Sequence, residues 1–198
     1  MSTQLTECTL IQLWTYAKQD DFEQVKQCIT KYPFLASSDT AEFGSDPLLF
    51  LACGNYNLEM TEFFLASNVD ATQRNRNGQH IVDHLLSLNY SHSNFEKLVT
   101  ILANRGEIVQ LAQQHCSRIF CYMFQRRNLD ILLLFVKLFQ LDINVELKED
   151  QWANGTTPFL DAARVGDYPL LQALYKLNVN TQTLYNKKNW NALMLACW

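Results

Sequence analysis

Apolar residues recur along the chain in pairs of helix-length stretches joined by short polar turns. TLIQLWTYAKQDDFEQVKQCITKYP places one stretch before Asp20-Asp21 and a second after it. LLFLA followed by YNLEMTEFFLASNVD repeats the arrangement, as do HCSRIFCYMF with RNLDILLLFVKLFQLDIN and PFLDAARV with GDYPLLQALYKLNVN. The recurrence at three and four positions is that of amphipathic helices. DILLLFVKLFQL is apolar nearly all round, which predicts a helix buried on several sides. The expected fold class is therefore all-α, built of paired helices.

The leads into the first helix of each pair are also alike. Gly155-Thr156-Thr157-Pro158, Gly44-Ser45-Asp46-Pro47, Gly78-Gln79-His80-Ile81 and Asn189-Trp190-Asn191-Ala192 each precede an apolar stretch. The intervals 78 − 44 and 189 − 155 are both 34 residues, and 155 − 78 leaves 77, room for two units if one starts near Cys116. Thr157 and Asp46 are suited to accept a backbone N–H at a helix start, and Pro158 and Pro47 to occupy its first turn. Gly166 offers the left-handed conformation that ends a helix. Ala162 and Ala163 permit close approach of two helices.

On these residues the chain resembles the ankyrin repeat family from about Leu10 to Trp198. The strongest copy runs from Gly155-Thr156-Thr157-Pro158 through Ala162-Ala163 and Gly166-Asp167 to Asn178-Val179-Asn180. The resemblance implies a solenoid of stacked helix-turn-helix units with hairpin-like loops, in one domain over 1–198. Its units are 10–43 as an N-terminal cap, 44–77, 78–114, 115–153, 154–187, and a truncated sixth over 188–198. The chain departs from the pattern where Arg127 and Asp20 replace the helix-ending glycine, and where SLNYSHSN is inserted between the helices of the third unit. Units three and four are expected to be the irregular part of the stack. A sixth unit that stops at Cys197-Trp198 suggests a longer parent protein or a trimmed fragment.

Composition narrows the function. The 198 residues carry a formal net charge of −4, with no global pull toward nucleic acid or an anionic membrane. The longest strongly apolar run, ILLLFV, is far shorter than the ~20 residues a membrane span needs, and the N-terminus lacks the marks of a secretory signal. A cytoplasmic setting is expected. Cysteines at 8, 28, 53, 116, 121 and 197 show no CxxC spacing and read as buried thiols. His80 and His84 are four apart, but HIVDH lacks the glutamate of HExxH and no third ligand is near, so no metal is expected. His80 is expected to cap a helix and His84 to face solvent. His115-Cys116 lies near Cys121, with no oxyanion-hole motif to serve a nucleophile. No phosphate-binding glycine loop occurs. No catalytic residue, metal or cofactor is expected.

What remains is the surface that such an array presents. The resemblance implies a concave face formed by hairpin tips and the front of each first helix. The positions mapped to it include Lys18, Gln19, Cys53 and Gly54 in the first two units. Later units contribute Arg76, Asn77, Gln79, His115, Gln125, Arg126, Trp152, Asn154, Thr156, Arg164, Lys187, Lys188 and Trp190. Lys18, Arg76, Arg126, Arg164, Lys187 and Lys188 have no acidic counterpart among them. Such a groove, with Trp190 and Trp152 as anchors, suits an acidic segment of a partner protein. The expected function is a monomeric protein–protein interaction module without catalysis; the alternative is the targeting domain of a larger enzyme. Net acidity argues against nucleic acid and membrane partners. The Gln- and Asn-rich repeats also resemble ankyrin proteins that intracellular bacterial pathogens deliver into host cytosol. By the same resemblance, Asn144 and Asn180 lie where family asparagines are hydroxylated, though a side chain tying one turn to its neighbour is the expected role.

Overall fold

A computed structural model describes residues 2–37, 46–148, 156–185 and 189–197. Among the described residues the chain is all-α: twelve α-helices, one 3-10 turn over Pro33–Ser37 and no strand, with a single isolated bridge between Tyr185 and Trp190. The helices are α1 Ser2–Lys18, α2 Phe22–Lys31, α3 Leu48–Gly54, α4 Leu58–Ala66, α5 Ile81–Ser87 and α6 Phe95–Ala103. They continue as α7 Gly106–Gln114, α8 Cys116–Arg126, α9 Leu129–Phe139, α10 Pro158–Val165, α11 Tyr168–Lys176 and α12 Ala192–Ala196. No helix among the described residues is long and apolar enough to cross a membrane. The chain divides into two compact units, 1–111 and 112–198, with the boundary inside α7.

The helices pair as the apolar pattern predicts, and one two-residue device makes each regular elbow. Asp20, Tyr56, Arg127 and Gly166 each adopt positive φ. The next residue is in every case Asp or Asn, and its side chain accepts the third backbone N–H of the following helix. Asp21 takes Gln24, Asn57 takes Met60, Asn128 takes Ile131 and Asp167 takes Leu170. A left-handed residue ends one helix and an Asx cap starts the next, which reverses the chain in two residues. The α5/α6 pair lacks the device. Its elbow is the polar insertion, where Leu88 to Asn94 form an open loop and Asn94 makes no side-chain cap. The helix α7, which the sequence pattern had absorbed into the third unit, extends that irregularity; its Ile108 and Ala112 are buried.

In the first unit α1 packs on α2 and α3, α3 on α4 and α5, and α4 on α6. Leu13, Val25, Leu49, Phe64, Leu85, Phe95 and Leu102 form its interior. The second unit buries Phe120, Phe135, Phe139, Leu160, Leu174 and Leu195. There α8 packs on α9, and α10 on α11 and α12. As its composition predicts, α9 has no exposed apolar residue.

Helix starts depart from expectation at one site. Thr157 caps α10 by accepting Leu160 N–H at 3.4 Å, with Pro158 in the first turn. Asp46 does not cap α3; Pro47 itself occupies the N-cap position. The Asp46 carboxylate instead meets Arg76. His84 does not face solvent. It packs against the Phe50 ring with centroids 5.2 Å apart, its Nε2 buried without a hydrogen-bond partner. Four residues after the N-cap is one helical turn, and that turn faces α3.

Candidate functional site

The sequence-derived surface residues fall at two places within each hairpin: the loop leading into the first helix, and the elbow. In the first unit the loop Asn75–Gln79 is tied to itself. The Asn75 side chain accepts N–H from Asn77 and Gln79 and donates to the Gln79 side chain at 3.0 Å. Arg74 donates to the Gly78 carbonyl, and Arg76 pairs with Asp46 at 3.8 Å. Arg76, Asn77 and Gln79 thus shape a turn whose cations already have partners. His80 continues that turn, with its Nδ1 at 3.0 Å from the Thr72 carbonyl and its N–H donating to Asp83. Lys18 lies over the Trp14 ring and Gly54 is exposed at the end of α3; Cys53 is fully buried, which removes it from any surface.

In the second unit Thr156 is 1 % exposed and its carbonyl accepts Leu147 N–H, so its side chain is an interior one and not a contact position. Trp190 is half-buried, held by a two-bond bridge to Tyr185. His115 is half-buried at the start of α8. Trp152, Asn154, Lys187 and Lys188 lie outside the described residues.

Gln125 and Arg164 come together at the elbows of α8/α9 and α10/α11, while Arg126 packs on Tyr122. Between these hairpins opens a cleft of about 630 Å³. Met123, Phe124, Leu129, Leu132, Pro169 and Leu170 make its apolar wall, and Gln125, Arg127, Asp161, Arg164 and Asp167 its polar rim. Val165 on the rim is 55 % exposed, and the neighbouring Tyr168 is 69 % exposed. A smaller hollow of about 360 Å³ continues between α9 and α11, lined by Leu133, Gln172, Ala173, Lys176 and Leu177.

The residues explain why a cleft forms here. In the first unit successive elbows are bridged by side chains. Asn55 donates to the Ala17 carbonyl and Asn57 to the Asp20 carboxylate, at 3.0 and 2.9 Å. The Tyr56 hydroxyl bonds both to the Asn89 carbonyl and to its N–H, and Asn94 donates to the Tyr56 carbonyl. At the matching positions α10/α11 carries Val165, Gly166 and Asp167. Valine has no donor, glycine no side chain, and a carboxylate accepts only. These hairpins are instead joined at their opposite ends. Asn180 N–H donates to Asn144 Oδ1, Leu147 N–H to the Thr156 carbonyl, and Lys148 N–H to Ser117 Oγ, at 2.7, 2.8 and 2.8 Å. Asn144 therefore ties its turn to the next.

The rim charges differ in their commitments. Arg164 donates from Nε and Nη2 to Asp161 Oδ1 at 3.0 and 2.6 Å. Burial nevertheless pushes the Asp161 carboxyl above its ordinary range, against the pull of the guanidinium. Arg126 lies over the Tyr122 ring and bonds to its hydroxyl. Asp167 is spent on the start of α11. Arg127, exposed and in the left-handed region at φ 49°, has no side-chain partner among the described residues. Sequence reading had noted Arg127 only as a replaced glycine. The signal was available in the pair Arg126-Arg127 at an elbow whose successor is glycine.

Chemistry at the thiols is suppressed. Burial raises Cys53 and Cys116 to about 12, and Cys116 Sγ donates to the Asp142 carbonyl. Among the described thiols two depart from the expected burial: Cys197 is exposed at the end of the last helix and Cys28 is half-buried. Among the described residues no three His, Cys, Asp or Glu side chains gather as a metal site. No protein-family model matches the chain, and no curated protein matches it.

Proposed function

We propose that this chain is an ankyrin-like array of helical hairpins that works by binding another protein and performs no chemistry itself. The ankyrin-like reading is supported by the elbow device, repeated with the same two residue roles in four hairpins. The binding reading rests on the second unit's cleft. A cleft with an apolar lining, a guanidinium without a partner among the described residues and exposed Val165 at its rim, and exposed Tyr168 close by in the chain, is the combination that protein recognition uses. Gln125 and Arg164 of the sequence-derived set belong to this rim, whereas Arg126 packs on Tyr122 outside the lining. The tip residues Arg76, Asn77 and Gln79 shape a loop and are not required for it.

The experiment is photo-crosslinking from the full chain in lysate of its own source cells. Benzoylphenylalanine replaces Tyr168 at the cleft in one variant and Glu59, exposed on α4, in another. A discrete adduct of one partner from position 168 and not from 59 is the expected result. Absence of any discrete adduct at 168 would remove the reading.

A further inference from the structure

The interaction-module reading leaves the partner's chemistry open, and the cleft supplies it. We propose that the α8/α9–α10/α11 cleft takes a short peptide segment in which a carboxylate side chain flanks an aliphatic one. The carboxylate meets Arg127, and the aliphatic group enters between Leu129, Leu132 and Leu170. This inference rests on the module reading and extends it.

Four observations converge. The cleft, about 630 Å³, has Met123, Phe124, Leu129, Leu132, Pro169 and Leu170 in its lining. Arg127 is the rim cation without a partner among the described residues, whereas Arg164 and Arg126 are committed to Asp161 and Tyr122. An arginine presents a planar fork that binds a carboxylate through two N–H groups, which lysine cannot imitate. Asp167 offsets part of the rim's positive charge, but one of its carboxylate oxygens is engaged by Leu170 N–H at the positive end of α11. Finally, Arg127 sits where Gly166 sits in the next hairpin. A non-glycine residue there is strained, and strain maintained at a surface position is the mark of a side chain kept for its own sake. In the first unit the same elbow positions hold Asp20 and Tyr56, and each reaches across to the next hairpin. Arg127 reaches no partner among the described residues. Gly166 opposite it leaves open space, since a Cβ built there meets nothing within 4 Å.

The geometry also explains specificity. A basic segment would face Arg127. A purely apolar segment would fill the wall but leave Arg127 no better placed than in water. The acidic and aliphatic groups together use both.

The test uses the full chain, isotopically labelled for amide NMR, and three acetylated, amidated peptides. Gly-Ser-Asp-Leu-Glu-Leu-Gly-Ser carries both features. A second replaces its acids by Asn and Gln, and a third replaces its leucines by Ser. The first should shift amides in 125–132 and 161–170, with half-saturation below about 1 mM. Each control should bind at least about fivefold more weakly. Arg127→Gly suits the backbone better than arginine, so its melting temperature should hold or rise while peptide affinity falls at least about fivefold. Equal binding of the Asn/Gln peptide, equal binding by Arg127→Gly, or shifts confined to other residues would each overturn the proposal. If a partner is still crosslinked from position 168 while the acidic peptide fails to bind, the acidic-aliphatic class falls and the module reading stands. If neither occurs, both fall.

Discussion

His84 spends its helix turn against Phe50, beside Gly54 at 3.7 Å from where a Cβ would stand, and burial lowers its pKa below the ordinary 6.5 despite the carboxylate of Asp46 nearby. The folded chain thus takes up a proton at this site less readily than the unfolded chain does. Its contribution is fully present above about pH 6.5 and is lost as pH falls from there toward the lowered folded value. Urea unfolding followed from pH 7.5 to 5.5 should show stability declining through that window, and His84→Gln should flatten the decline. An unchanged slope in the variant would place the titration elsewhere. Asp161 is the opposite case. Its carboxyl is raised by burial and balanced by Arg164. Arg164→Met leaves a buried charge uncompensated and should destabilise by about 3 kcal/mol at neutral pH. Because a raised carboxyl gains protons on folding, that loss should shrink as pH falls toward 5. Asp161→Asn added to Arg164→Met should recover part of it.

At the scale of a hairpin, the elbow decides more than either helix. Asn128→Ala removes one cap and should cost about 1 kcal/mol. Asn57→Ala removes the matching cap and also the bridge to Asp20, so it should cost roughly 2 kcal/mol, a cap plus one hydrogen bond. Chemical denaturation of the two variants gives the comparison directly. The bridges also suggest how to close the cleft. Val165→Asn places an amide where Asn55 sits in the second hairpin, within the same register relative to the Phe124 carbonyl that Asn55 has to that of Ala17. The variant should melt higher and bind the acidic peptide less well; a lower melting temperature would mean that the elbows differ in more than this donor.

Across the molecule, the thiols report on both units at once. Cys53 in 1–111 and Cys116 in 112–198 are raised to about 12 by burial, while Cys197 is exposed and Cys28 is partly so. The thiolate is the reactive form. In a Cys8→Ser background at pH 7.5, an aromatic disulfide reagent should modify Cys197 first, Cys28 more slowly, and Cys53, Cys116 and Cys121 only in denaturant. Rapid native reaction at Cys53 or Cys116 would show that its unit opens far more readily than its packing allows.

The helices and their pairing were legible in the chain itself, because a helix with a three-and-four apolar rhythm must bury that face against a neighbour. The caps at Thr157 and the end of helix at Gly166 were equally local, since each depends on residues within one turn. The fate of Asp46, Thr156 and His84 was not local. Each looked like a polar residue near a helix start, and each is placed by a segment outside its own helix, about thirty residues away for Asp46 and His84 and nine for Thr156, which an apolar rhythm does not encode. The helix α7 was hidden because its polar residues blurred the rhythm between two stronger stretches. The cleft belongs wholly to tertiary structure. Val165, Gly166 and Asp167 declare an ordinary elbow when read alone. Only the contrast with Asn55, Tyr56 and Asn57, seen bonded across the neighbouring elbows, shows that a bridge is missing and that Arg127 is left facing open space.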